Sequence, residues 1–159
     1  MVLPFAIKFL SMKTLFDKET RDEIAVRVGR LDGNAKRQWG KMNAYQMLKH
    51  CTLWEDMIFG KIPAKRAFIG RLFGRIALKT VLKDSSPLRR NTPTLPALIV
   101  KEESGDIALQ KKEWLDRIGT YSNFGLSSFM HPFFGEISRE QIGQMAYKHA
   151  DHHLRQFGV

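Results

Sequence analysis

The chain has 159 residues, 43% hydrophobic and 26% charged, which is enough for one folded domain and too well mixed for a disordered chain. No run approaches the roughly 20 uninterrupted apolar residues of a membrane-spanning helix. Cys51 is the single cysteine, so an intrachain disulfide and a four-cysteine zinc site are both excluded, and a reducing cytoplasm is the expected compartment.

The opening stretch "MVLPFAIKFLSMK" is mildly apolar, but Lys8 interrupts it and no small-residue cleavage site follows. Residues 1–11 are expected to be an N-terminal extension, with Met12 a candidate start, and residues 12–159 a single domain. In "LFDKETRDEIAVRVGRL", Ile24, Val28 and Leu31 recur at i, i+4, i+7 with charges on the other face. That spacing predicts a helix with Asp17 as its N-cap. After the loop "GNAKRQWGKM" comes "NAYQMLKHCTLWEDMIFG", where Asn43 and Gln46 have capping-box spacing. Met47, Leu48, Trp54, Met57 and Ile58 form its apolar face, and Gly60 ends it.

"AKRAFIGRLFGRIALKTVLKD" predicts a third helix, weakened by Gly70 and Gly74. Residues 61–90 hold nine Lys and Arg against the single acid Asp84, so most of the net charge of +10 lies there. Arg71, Arg75, Lys79 and Lys83 make a basic stripe; Phe68, Ile69, Leu72, Phe73 and Ile76 make the apolar side. The ordinary reading is a solvated basic face over a buried apolar one. Nucleic acid or an anionic membrane is the alternative partner for such a stripe. No helix-turn-helix, zinc-finger or RNA-binding signature accompanies it, so nucleic acid is not the expected partner.

"SSPLRRNTPTLPA" reads as a long proline-punctuated loop, and "ALIVK" is the one segment that looks extended. "DIALQKKEWLDRIGTY" predicts a helix with Ile107, Trp114, Leu115 and Ile118 inward. "NFGLSSFMHPFFGEI" reads as a loop, and Ser138 with Gln141 is a second capping-box pair opening the last helix, through about Gln156. The expectation is an all-α fold, a bundle of four main helices and one accessory helix.

Three of the five histidines fall in "KHADHHLRQFG". His149 and His153, four apart, share the helix face of Ile142, Met145 and Ala146, about 6 Å apart along the axis. Two neutral imidazoles so placed can chelate one divalent ion. A third ligand must come from elsewhere, and His50, on the apolar face of the second helix, is the best placed. The same pattern suits a polar helix end and a hydrogen-bonded core histidine, and spacing alone leaves the two readings about even.

"QMLKHC", "HPFFG" and "KHADHHLRQFG" together resemble the DinB-like superfamily of metalloenzymes, and a bacterial branch of it most closely, from about Met12 to the end. The resemblance implies a DinB-like four-helix bundle holding one divalent transition metal (Zn, Ni, Fe or Mn) on His50, His149 and His153. It also implies a hydrolase or thiol-dependent transferase acting on a small-molecule substrate, with a low-molecular-weight thiol as a second cofactor. His131 in "HPFFG" is the catalytic candidate, set against a loop histidine that organises its turn. Gln46, one turn before His50, is a candidate for orienting it from behind, although the capping box already gives it a task. Glu55 and Asp151 are expected to be ordinary helix carboxylates, Cys51 a core thiol, and Phe129, Phe133 and Phe134 core or pocket wall. The glycine-containing helix around residues 68–78 is a candidate homodimer face. The rival to the enzyme is a non-enzymatic basic module that binds through residues 61–90.

Overall fold

The computed structural model describes residues 12–63 and 65–159. The expected extension, residues 1–11, lies outside them. Five α-helices and one two-stranded sheet make up the fold: α1 Lys18–Arg30, α2 Ala44–Ile58, α3 Phe68–Val81, α4 Ile107–Thr120, β1 Ser128–His131, β2 Gly135–Ser138 and α5 Arg139–Gln156. Short 3₁₀ turns occupy Pro96–Leu98 and Tyr121–Asn123. The protein is mostly helical, as expected.

Helix starts follow the local chemistry. Asn43 accepts from the backbone N–H of Gln46, whose own side chain accepts from Asn43 N–H, closing the box that opens α2. Ser138 and Gln141 do the same for α5. Asp17 takes the N-cap position of α1 without a side-chain cap bond. α2 packs most extensively on α4, and α1 rests on both α4 and α5, while α5 also meets α2. Between them Ile24, Val28, Met47, Leu48, Trp114, Ile118, Ile142, Ala146 and Leu154 are buried almost completely.

Three local expectations are corrected. The Gly- and Phe-rich stretch before α5 forms an antiparallel hairpin rather than a loop, with Phe129 opposite Ile137 and His131 opposite Gly135. Its alternation is visible once the register is known: His131 and Ile137 are buried, Met130 and Glu136 exposed. Because β2 ends at the N-cap of α5, the hairpin sets where the last helix begins. "ALIVK" is not a strand; its first residues complete the Pro96–Leu98 turn.

The third correction concerns α3. Its buried residues are Gly70, Gly74 and Leu78, while Phe68, Ile69, Leu72, Phe73 and Ile76 are exposed to solvent. Among the described residues, nothing covers the apolar side. Physically, the two glycines let the helix lie against the backbone of the hairpin turn. A Cβ on either glycine would overlap the Phe133 carbonyl. Arg66 and Arg75 fasten the contact, donating to the carbonyls of His131, Pro132 and Phe133 and of Glu136 respectively.

Candidate metal centre

α2 and α5 bring His50, His149 and His153 together. One ring nitrogen from each lies within 4.8 Å of the others. His50 comes from the middle of α2, where residues 47–58 form the most continuously buried helical stretch. His149 and His153 come from successive turns of α5. His50 and His153 are buried, and His149 is partly exposed.

Neighbours fix the proton on two of the three rings. His50 Nδ1 lies 3.0 Å from the Leu98 carbonyl, which only accepts, so Nδ1 carries the hydrogen and Nε2 presents its lone pair. His153 Nδ1 lies 3.0 Å from Gln156 Oε1. The Gln156 amide nitrogen donates to the Trp39 carbonyl at 2.8 Å, which turns the amide oxygen toward His153. His153 therefore also holds its proton on Nδ1 and leaves Nε2 free. His149 is set by packing: its ring stacks on Trp54 at 4.5 Å between centroids with the planes 16° apart.

His149 Nε2 is 3.2 Å from His50 Nε2. Two lone pairs cannot face each other at that distance, so a proton or a cation must lie between them. Two nitrogens on one tetrahedral zinc stand about 3.3 Å apart given Zn–N bonds near 2.05 Å, so this edge already has the separation the ion needs. His149 Nδ1 is buried without a partner. Burial holds all three imidazoles below the usual histidine pKa; charge on His153 and His50 lowers His149 further, charge on His50 and His152 lowers His153, and charge on His152 lowers His50. They are neutral and close together, and a donor set of three imidazoles fits a divalent transition metal.

The other candidates take different positions. Gln46 bonds to Asn43 and the Val100 carbonyl, and none of its bonds reaches His50. His131 is buried, and its Nδ1 accepts from the backbone N–H of Phe133 at 3.1 Å and Phe134 at 3.2 Å. It organises the hairpin turn, packed between Phe129 and Phe134. Burial and the Arg66 charge push it down to about 4. It is close enough that a positive charge on it lowers the pKa of His149.

Asp151 is buried but held by Arg27 at 2.8 Å and Arg155 at 2.7 Å. Glu55 faces α4, away from the cluster, and accepts from Tyr121 Oη at 2.5 Å. Burial raises it to about 8 against the effect of that bond. The Trp114 indole acts on it in the same direction as Tyr121, without the geometry of a formed hydrogen bond, since Trp114 Nε1 and Glu55 Oε1 both lack a partner. Cys51 is fully buried among apolar neighbours, which pushes its thiol well up.

Gln156, Leu98, Trp39 and Trp54 support the cluster without being singled out by sequence. Gln156 carried a readable hint, three residues beyond His153 on the same helix. The Leu98 carbonyl carried none, because any residue supplies one. A cavity of about 450 Å³ opens beside Trp39 and His152, walled also by Arg27, Arg90 and Arg155. No triad side chain lines it; it approaches the cluster only through His152, whose ring meets that of His153 edge-on.

No curated protein and no solved structure matches this chain. The sequence profile of a family described as "Protein of unknown function (DUF1569)" matches residues 12–158, nearly the whole chain. The protein belongs to the DUF1569 family.

Proposed function

We propose that the protein is a metal-dependent enzyme that holds one divalent transition-metal ion on His50, His149 and His153. A single observation carries the reading: two of the three imidazoles have their protons committed outward, to Leu98 O and Gln156 Oε1, leaving both Nε2 lone pairs for a cation. The resemblance to the DinB-like superfamily and its four-helix bundle supports it, as do the contacts of α1 and α2 with α4 and α5.

When bound by three histidines with a position left open, such an ion lowers the pKa of a coordinated water or thiol and so supplies a nucleophile near neutral pH. The protein's own groups then have separate tasks. Leu98 and Gln156 keep the ligating nitrogens unprotonated, and Trp54 shields one face of His149. His131 is a poor base, because its Nδ1 is already taken by two backbone N–H groups; its remaining Nε2–H is a donor suited to orienting a substrate. Hydrolysis, or transfer to or from a low-molecular-weight thiol, on a small substrate is the reaction class we assign. Zn, Ni and Fe suit imidazole ligands, whereas Mn favours oxygen ligands and is the weakest fit of the four to a three-histidine site.

The test is metal analysis by mass spectrometry of untagged protein beside a His149→Ala, His153→Ala variant. About one equivalent of transition metal in the wild type, lost in the variant, is the expected result. Metal absent from both after reconstitution overturns the reading.

A further inference from the structure

We propose that α3 is a docking face for an anionic membrane surface. The inference does not rest on the metal centre. Phe68, Ile69, Leu72, Phe73 and Ile76 are between 57% and 74% exposed. Five large apolar side chains in nine residues, all turned outward, form a contiguous patch of a kind that single soluble domains rarely leave in water. The orientation is built in. Gly70 and Gly74 are pressed against the Phe133 backbone, so the helix cannot roll its apolar arc inward without driving a large side chain into the hairpin.

Charge selects the occupant. At about 100° per residue, Arg71, Arg75 and Lys79 run along one border of the apolar arc, and Lys83 continues the row beyond the helix. The one acid in residues 61–90 is Asp84, which lies 3.6 Å from Lys83. A second copy docking α3 on α3 would add an identical cationic row, with no acid in either helix to neutralise it. A nucleic acid would satisfy the cations and leave the five apolar side chains in water. An anionic bilayer takes both: the apolar arc enters the acyl boundary and the cations meet the headgroups. With 14 residues, α3 is about 21 Å long and lies on a bilayer rather than crossing it; none of the described helices is long and apolar enough to span one.

The experiment is sedimentation of the full chain with vesicles of phosphatidylcholine alone and of equal parts phosphatidylcholine and phosphatidylglycerol. Binding to the mixed vesicles alone, weakened by salt, is expected. Replacing two exposed residues, Leu72→Ser with Phe73→Ser, leaves the fold intact by circular dichroism and weakens that binding about tenfold or more. Lys79→Glu weakens it through charge alone. No binding to the mixed vesicles, or binding that the serine variant retains in full, overturns the proposal. A dimer in sedimentation velocity that the serine variant converts to monomer, with vesicles ignored, overturns it in favour of a second copy. Duplex oligonucleotide binding that survives the serine variant, again with vesicles ignored, overturns it in favour of nucleic acid.

Discussion

Gln156 holds His153 in the tautomer that a metal requires: its Oε1 lies 3.0 Å from His153 Nδ1, while its amide nitrogen is anchored to the Trp39 carbonyl at 2.8 Å. The orientation of a ligand thus depends on a loop residue more than a hundred positions upstream. Gln156→Leu removes the acceptor and frees the ring, and metal affinity should fall about 10- to 100-fold. Gln156→Glu keeps an acceptor and should retain most of it. Competition with a chromogenic chelator measures both.

His131 gives the opposite expectation. Its Nδ1 accepts two backbone N–H groups in the turn, so His131→Ala leaves them without a partner and should cost about 1–3 kcal/mol of stability. Metal stoichiometry should stay at the wild-type value. His131→Asn restores an acceptor near the same place and should recover part of the loss in urea unfolding.

Glu55 makes stability fall as pH rises. Its folded pKa is raised from 4.5 to about 8, so between those values the folded chain keeps a proton that the unfolded chain has released. Unfolding is favoured progressively through that window, and the effect is complete above about pH 8. Glu55→Gln has no proton to lose and retains an oxygen for Tyr121. Its melting temperature should exceed that of the wild type at the alkaline end of the window, and the gap should close toward the acid end.

Gly74 lies so close to the hairpin that there is no room for a Cβ between them. Gly74→Ala normally favours a helix by up to about 1 kcal/mol. Here the added methyl would overlap the Phe133 carbonyl, so the sign reverses and the variant should be less stable than the wild type in chemical unfolding.

Both capping boxes were legible because they are local: Asn43 with Gln46 and Ser138 with Gln141 need only a spacing of three. The pairing of His149 with His153 was legible for the same reason, as one helical turn. His50 could be nominated from its own helix face, but its distance to α5 could not, and neither could the Leu98 carbonyl behind it. The hairpin was hidden because strands of four residues give too few alternations to stand out from a Gly- and Phe-rich run. α3 misled for a different reason. Periodicity says which side of a helix is apolar, and says nothing about whether protein or solvent covers that side. The glycines at 70 and 74, read as mere weak points, were the inner face.

Asp151 sits between the two α5 ligands and is clasped by Arg27, 124 residues earlier, just as His50 meets His149 across 99 residues. A chain emerging from the ribosome can form α1, α2 and α4 and still have nothing that resembles a metal site. Only when α5 docks, with Arg27 gripping Asp151, do the three nitrogens come together. The ion's cradle therefore rests on contacts of long sequence separation, which cost more loop closure than the helices' own local bonds. An ion captured there would mark a molecule with α5 in place, and chains stopped short of α5 would carry none.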